Sequence, residues 1–553
     1  MTSIHPKKNK LIPMKTFAKW LFPLCGALLA MGAQAQRRTL IFDNDGSELL
    51  LNTYWNEQPL TLWQLDSLVD IQRDTQVGTY AICAGSDFFY YRSQYGRLYG
   101  DDLDGQIAHG GNEALYRTLK KSYDNAVRLE KEGTDLIRAT LTRARKSGMQ
   151  TMLTLRMNDL HFTDTAIDCP VAYNEWWAAH PELHTGDPSQ GWHSAGAYDF
   201  AHKEVRDRKV AVIKEQIARY GALTDVYLVD FMRFFCYFRR GEGAKHADDM
   251  TQMMREIRQV IQLEGQKAGH PIKLAVRVAP SIGENMEKGL DIRQWLQENL
   301  IDLLSVGIHI RIEPNMPIRQ LKADLGNDLH VPLYASTDMV TYQENEPVSE
   351  GMMRGFCMHA LAQGADGVYL FNYFFNDYNR GRYHTEPGEQ TCRVPHPRML
   401  HELGSRETLE GRNKIYWLSD GKREYGLRPN TPLPLCVQPQ QQAEVSLFVG
   451  DRVDSIRPKE LILFYRTRQP ASLRLWLNGK KAMKMVPDYV SIYNKGVKLQ
   501  NGEQQYAVRL PAKALKQGDN VLRIENADTA SEVTIKRIEL ALKYGSADTH
   551  GYF

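Results

Sequence analysis

The chain has 553 residues, of which 42% are hydrophobic and 24% are charged, and its formal net charge is +3. That length exceeds what one hydrophobic core normally supports, and the composition is that of a globular protein, so two domains are predicted. The near-neutral charge, with no long run of one sign, argues against nucleic acid as a partner.

The first 35 residues have the pattern of an export signal. A lysine-rich segment at residues 7–15 precedes an apolar run at 20–30, and the tripeptide Ala33-Gln34-Ala35 then forms a small-x-small cleavage site. This pattern predicts a signal peptide over residues 1–35 and a mature start near Gln36. The apolar run is too short for a membrane span, so we expect a periplasmic or extracellular protein. Cys25 lies inside this run, and residues 22–25 are a poor lipoprotein-type site, so a lipid anchor is the less favoured alternative.

Strand-like and helix-like segments alternate from residue 39 to about 418. Eight candidate strands are rich in β-branched and aliphatic residues: 39–42, 78–84, 151–157, 226–231, 274–278, 303–307, 332–336 and 368–372. Helical patterns lie between most of them, at 113–146, 203–220, 248–268, 292–299 and 350–363. This alternation predicts a (β/α)8 TIM barrel over residues 36–420. A doubly wound open sheet is the alternative, although no glycine-rich phosphate loop follows any strand.

After about residue 415 the pattern changes to short segments in which apolar and polar residues alternate, such as 443–449, 460–466 and 505–510. Turn dipeptides, including Asn478-Gly479, separate them. Regular short strands of this kind predict a C-terminal β-sandwich over residues 430–546. The sandwich could bind carbohydrate through Trp476 or Tyr489, or it could brace the barrel, and we favour bracing.

Polar side chains stand at the carboxyl ends of the third, fourth and fifth predicted strands. The third strand leads to Arg156, Asn158 and Asp159, the fourth to Asp230 and Arg233, and the fifth to Arg277. In a TIM barrel the carboxyl ends of the strands converge on one pocket. Charges are costly to bury there unless they are paired, so we expect catalysis or ligand binding at this end.

Asp230 is the strongest candidate for chemistry. It follows the apolar run 226–229, which suits a buried central strand, and it would emerge at the barrel mouth. A carboxylate in that place can act as a nucleophile, a general base or an acceptor for a substrate hydroxyl. Arg277, on the neighbouring strand, is expected to pair with it. An Asp230–Arg233 ion pair that only orders the turn is the structural alternative.

Glycoside hydrolysis needs a second carboxylate, and several acids could supply it. Glu313 follows the sixth strand, Asp338 and Glu344 follow the seventh, and Asp159 follows the third. We prefer Glu344 or Asp338, because strands four and seven face each other across such a barrel. The predicted substrate-binding residues are Arg156, Asn158, Asp159, Arg233, Arg277, His309, Asn372 and Trp192. No metal-ligand spacing or paired cysteine motif is present, so no metal and no cofactor is predicted.

Five motifs of the predicted barrel resemble a known group of proteins. They are TLRMND at 154–159, HPEL at 180–183, VYLVDFMRF at 226–234, LAVRV at 274–278 and GADGVYLFNYF at 364–374. They look like the barrel of exported bacterial glycoside-hydrolase-like proteins that are similar to family 10 glycosidases. The resemblance covers about residues 40–415 and implies a (β/α)8 fold and a carbohydrate substrate. Family 10 enzymes place glutamates after strands four and seven, whereas this chain has an aspartate at strand four.

The resemblance and the acidic residues at the carboxyl ends of the predicted strands together imply an exported glycoside hydrolase that cleaves a poly- or oligosaccharide, with Asp230 as nucleophile or base. Two alternatives come from other classes: a non-catalytic glycan-binding protein on a degenerate barrel, and a lyase that acts on uronates. Several arginines at one mouth make an acidic sugar worth testing. The sugar, the linkage, the stereochemical outcome and the oligomeric state stay open.

Overall fold

The computed structural model describes residues 38–55, 58–163, 169–309, 311–338, 348–375, 397–421, 425–428, 430–468, 472–487, 499 and 502–545. The predicted signal peptide, Glu344 and Tyr489 lie outside these ranges.

Eight parallel strands, paired in chain order, close into a barrel, so the predicted TIM barrel is confirmed. The strands are β1 (Leu40–Asn44), β2 (Val77–Cys83), β3 (Gln150–Arg156), β4 (Val226–Asp230), β5 (Lys273–Val278), β6 (Leu303–Val306), β7 (Leu333–Thr337) and β8 (Gly367–Leu370). Pairing of Leu40 with Val368 joins β1 to β8 and completes the barrel. The strands are almost continuously buried, because helices cover the outer face and side chains fill the interior.

Helices follow most of the strands. They are α1 (Ser47–Leu51), α2 (Leu62–Asp70), α3 (Glu113–Lys131), α4 (Leu136–Lys146), α5 (Glu175–Ala179), α6 (Lys203–Tyr220), α7 (Ala247–Ala268), α8 (Ile282–Glu287), α9 (Ile292–Gln297), α10 (Ile318–Leu325), α11 (Glu350–Ala362) and α12 (Arg406–Leu409). Short 3-10 turns supplement them, among them Pro170–Ala172, Pro181–Leu183, Pro188–Gln190 and Ser194–Gly196 between β3 and α6. Within the described ranges, no helix is both long enough and apolar enough to cross a membrane.

The helical pattern predicted over residues 113–146 is confirmed, but it is divided into the two helices α3 and α4. Gly133 has a φ of 79°, in the left-handed region that ends helices, and it follows Glu132, the C-cap residue of α3. The side chain of Asp135 then accepts a hydrogen bond of 2.8 Å from the amide of Arg138 and begins α4. A glycine followed two residues later by an N-cap aspartate therefore separates the helices.

The barrel interior is layered, because side chains of one strand alternate between its two faces. A buried cluster that includes Ile41, Ala81, Met152, Leu228 and Ala275 fills the interior. The same face reaches polar residues nearer the carboxyl ends of the strands. We call these residues the mouth layer: Asp43, Cys83, Arg156, Asp230, Arg277 and Ser336.

Two antiparallel sheets follow the barrel, as the predicted β-sandwich requires. Their strands are β9 (Lys414–Ser419), β10 (Leu435–Val437), β11 (Gln442–Val449), β12 (Glu460–Thr467), β13 (Leu473–Leu477), β14 (Lys480–Lys481), β15 (Lys484–Met485), β16 (Gln504–Leu510), β17 (Gly518–Asn526) and β18 (Val533–Lys543). One sheet has the order β10-β18-β12-β16-β15, with β9 also paired to β18, and the other has the order β11-β17-β13-β14. β9 thus belongs to the C-terminal sheet although it precedes the boundary predicted at residue 420. The predicted division into domains otherwise stays a prediction.

Helix α11 packs directly on β9 and so connects the barrel to the C-terminal sheets. A Cβ atom on Gly355 of α11 would lie 1.8 Å from the carbonyl oxygen of Ile415 in β9. Real Cβ atoms do not approach a backbone oxygen so closely, so only glycine permits this contact.

We expect Gly355→Ala to lower the free energy of unfolding by about 3 kcal/mol, because the added methyl group must displace β9 or α11. Gly283→Ala is the matched control. Gly283 also lies in a helix, α8, and the nearest atom to its added Cβ would be Ser281 Oγ at 3.9 Å. Urea unfolding of both variants measures the difference. A Gly355→Ala chain as stable as the control would contradict this packing.

Candidate active site

Asp230 and Arg277 form a buried ion pair in the mouth layer, which confirms their predicted pairing. Arg277 Nη1 donates to Asp230 Oδ1 and Oδ2 at 3.2 and 3.0 Å, and the amide of Met232 donates to Oδ1 at 2.8 Å. Arg277 Nε also donates to Ser336 Oγ at 3.0 Å, and its guanidinium carbon lies 3.8 Å from the Phe371 ring centroid. The side chains of Arg277 and Asp230 are only 1% and 3% exposed. An ionised carboxylate is thus held in a desolvated position by several partners.

Asp43, in β1, is the second carboxylate of the mouth layer and is not among the site residues predicted from the sequence. It is 2% exposed, and its Oδ1 has no hydrogen-bond partner among the described residues. Burial raises the pKa of Asp43 to about 7; the charges of Arg156 and Arg277 oppose the rise, and the charge of Asp230 adds to it. Asp43 therefore keeps a proton close to neutral pH, near an Asp230 carboxylate whose charge Arg277 balances.

A signal for Asp43 was present in the sequence. The segment FDND at 42–45 places carboxylates at the end of a strand, as VYLVD does for the fourth strand. The first predicted strand stopped at residue 42, one residue before Asp43. Ile41 lies inside the barrel, so a strand extended by two residues would have placed Asp43 on the same inward face.

A cavity of about 130 Å³ lies beside the mouth layer, at the carboxyl ends of β1, β2 and β3. Asp45, Cys83 and Arg156 line one part of it. Asp159 and His161 line another part of the cavity. Aromatic side chains line the rest, among them Phe88, Tyr99 and Phe162. The cavity therefore gathers charged groups from three strand ends, as expected for the ligand-binding end of a TIM barrel.

Four polar side chains in this cavity form a connected cluster. Arg156 Nη1 donates to Asp159 Oδ2 at 3.4 Å, and Asp159 Oδ1 lies 2.5 Å from His161 Nδ1. His161 Nε2 in turn lies 3.0 Å from Arg233 Nη2. Although burial opposes charge on Asp159, its interactions with His161, Arg156 and Arg233 hold its pKa well below the usual range. Asp159 is therefore anionic and orients its neighbours, and it is poorly suited to donate a proton.

Asn158 uses its side-chain amide inside the protein. Its Nδ2 donates to the carbonyl oxygens of Tyr198 and Cys236 at 3.0 and 2.6 Å, and its Oδ1 accepts from the amide of Tyr198 at 3.2 Å. Asn158 is 1% exposed. This geometry favours a structural role for Asn158, which ties two loops of the mouth together, over the predicted contact with substrate.

Trp192 and His309 belong to an aromatic rim. Trp192 is 45% exposed and stacks on Phe234, with ring centroids 5.7 Å apart. His309 contacts Phe234 at 5.0 Å and Tyr425 at 5.1 Å between ring centroids. Phe234 also contacts His161 of the cavity cluster at 5.1 Å. The rim therefore adjoins the cavity and offers the flat apolar faces on which sugar rings stack.

The remaining predicted acids and amides lie in different surroundings. Asp338 directly follows β7, is 7% exposed, and acts electrostatically on Arg233. Asn372 has a φ of 51°, is 8% exposed, and its Oδ1 has no hydrogen-bond partner within the described part of the chain. Glu313 is buried and lines another cavity, of about 250 Å³, with Glu284. Asp338 and Asn372 thus lie at the barrel mouth, whereas Glu313 borders a different cavity.

No protein-family model and no curated protein matches the chain. Solved structures of carbohydrate-active enzymes resemble it. A cycloisomaltooligosaccharide glucanotransferase from Paenibacillus sp. is 10% identical with a TM-score of 0.34, and the match covers 93% of this chain and 58% of that one. The endo-beta-1,4-mannanase from Thermotoga petrophila is 10% identical with a TM-score of 0.41, covering 92% and 98% of the two chains.

The PgaB (BpsB) glycoside hydrolase domain from Bordetella bronchiseptica is 12% identical, with a TM-score of 0.40 and coverage of 66% of this chain and 99% of that one. These neighbours include glycoside hydrolases.

Proposed function

We propose that this protein is an exported glycoside hydrolase that cleaves a poly- or oligosaccharide by carboxylate chemistry. The observation that carries the proposal is the pair of carboxylates in the mouth layer, whose surroundings differ. Asp230 is ion-paired with Arg277, whereas burial raises the pKa of Asp43 to about 7. Glycoside hydrolysis uses two such groups, one ionised and one protonated, on either side of the scissile bond.

In this proposal Asp230 supplies the negative charge, as nucleophile or as base. A second acid protonates the leaving oxygen, and Asp43 is the described acid whose pKa best suits that task near neutral pH. Asp338, and Glu344 outside the described residues, stay proposed alternatives for this acid. The pattern of the signal peptide supports export, and the five barrel motifs support the likeness to family 10 proteins.

The test is a reducing-end release assay on a broad panel of poly- and oligosaccharides with the mature chain from Gln36. We expect release by the wild type and a loss of about 1,000-fold in Asp230→Asn, within the range for a lost proton-transfer group. Asp248→Asn, an exposed acid of α7, is the matched control and keeps the wild-type rate. No release from any substrate contradicts the proposal. Glycan release that survives in Asp230→Asn would show that another acid has the catalytic role proposed for Asp230.

A non-catalytic glycan-binding protein is the second candidate, and one observation favours it. Both carboxylate oxygens of Asp230 already accept hydrogen bonds, from Arg277 and from the amide of Met232, which makes the carboxylate a weaker nucleophile. This candidate predicts glycan binding by calorimetry with no release, and an affinity that Asp230→Asn leaves nearly unchanged.

A further inference from the structure

Two arginines in the wall of the cavity beside the mouth layer have unused hydrogen-bond donors. Arg156 Nε and Nη2, and Arg233 Nε, are buried and have no hydrogen-bond partner among the described residues. Arg156 is only 6% exposed, and both side chains line the cavity. A buried donor without a partner costs about 1–3 kcal/mol, so a ligand oxygen that reaches these atoms is favoured.

The unused donors of Arg156 are the two on one edge of its guanidinium group. Elsewhere in this protein the same Nε–Nη2 edge holds a carboxylate: Arg255 donates to both oxygens of Glu298, at 2.7 and 2.6 Å. At Arg156 the carboxylate of Asp45 comes no closer than 3.5 Å to Nη2 and is not placed to accept its hydrogen bond. The two parallel N–H donors on the Nε–Nη2 edge match the two oxygens of a single carboxylate.

Neighbouring charges already have partners. Lys209 Nζ lies 3.2 Å from both carboxylate oxygens of Asp87, and Arg277 pairs with Asp230. Asp159 is held by His161. The donors left without acceptors are therefore those of the two arginines, and their guanidinium groups stay charged under all ordinary conditions.

The rest of the cavity wall suits a sugar ring. Phe88, Tyr99 and Phe162 line it and contact one another, with ring centroids 5.5 to 6.4 Å apart. Such rings bind the apolar face of a pyranose while polar groups bind its substituents. An apolar wall in the same cavity as two arginines is the arrangement that a saccharide with one negatively charged substituent needs.

We propose that this cavity binds the carboxylate of a uronic acid residue, with the Nε–Nη2 edge of Arg156 as the bidentate donor and Arg233 as the second cation. The saccharide part of this ligand rests on the proposed function. The acidic substituent rests on the two arginines alone.

Calorimetric titration tests this proposal without requiring turnover. D-glucuronate and D-galacturonate are compared with their methyl esters, which have the same ring but no charge, and with a sulfated monosaccharide. We expect the acids to bind at least about 10-fold more tightly than the esters, as one charge-assisted bidentate contact provides. Arg233→Gln and Arg156→Lys remove this preference, the second because lysine keeps the charge but not the paired donors. Arg255→Gln, on the outer helix α7, keeps it.

The outcomes separate this inference from the hydrolase proposal. Equal binding of acid and ester, or no binding of either, overturns the inference even if neutral glycans are cleaved. A preference unchanged in both arginine variants overturns it as well. Tighter binding of the sulfated sugar overturns the assignment of a carboxylate and identifies the acidic group of the ligand as a sulfate ester. Preferential binding of the acids without reducing-end release from any oligosaccharide keeps the inference and rejects the hydrolase.

Discussion

Asp230→Asn is expected to lower the free energy of unfolding by about 3 kcal/mol, in addition to its effect on glycan release, because it leaves a buried arginine charge unpaired. Arg277 is 1% exposed, so water cannot replace the lost carboxylate. The asparagine oxygen can still accept a hydrogen bond from Nη1, but it carries no charge to balance the guanidinium. Urea unfolding at pH 7 measures the loss.

The double variant Asp230→Asn/Arg277→Gln separates the structural role of this pair from its chemical role. Removing both charges takes away the unpaired cation, so we expect the double variant to be more stable than Asp230→Asn alone. Release of glycan stays lost, because the carboxylate is still missing. The partly exposed pair Arg255–Glu298 is the control, because solvent screens it and Glu298→Gln is expected to change stability much less than Asp230→Asn does. A double variant that regains activity would show that Asp230 serves only to hold Arg277.

The fold could be predicted closely because its strands follow a simple pattern. Buried parallel strands are near-continuous apolar runs, and every observed barrel strand begins and ends within two residues of the predicted one. The break between α3 and α4 was not predicted, because the helical periodicity continues across Gly133 and Asp135, the residues that separate the two helices. Local capping chemistry outweighed the longer-range pattern there.

The candidate site was only partly predictable. Asp230 and Arg277 occupy neighbouring strands, so their contact followed from strand order once the barrel was assumed. The hydrogen bonds of the Asn158 side-chain amide reach residues 40 and 78 positions away in the chain, and no local pattern indicates them. The unused edge of Arg156 likewise depends on where Asp45 and Asp159 come to lie around it. Contacts of this kind are set by the packing of several loops.

Asp43 makes the stability of the protein depend on pH in a direction that can be stated in advance. Burial raises the pKa of Asp43 to about 7 in the folded protein, whereas an aspartate in an unfolded chain has a pKa of about 3.9. The folded state thus binds the proton more tightly than the unfolded state. The resulting contribution to stability is complete below about pH 4 and is lost as the pH rises through about 7.

Asp43→Asn removes this titration while keeping the size of the side chain. Relative to the variant, the wild type is therefore expected to lose stability on the order of 4 kcal/mol between pH 4 and pH 8, from about 1.4 kcal/mol per pKa unit. Urea unfolding of both proteins at several pH values measures the difference, and the exposed Asp248→Asn shows no such trend. If Asp43 also donates the proton to the leaving oxygen, glycan release by the wild type falls above pH 7 and is lost in Asp43→Asn. A stability difference that stays constant with pH would mean that Asp43 is ionised in the barrel, and another acid, such as Asp338, would then have to supply the proton.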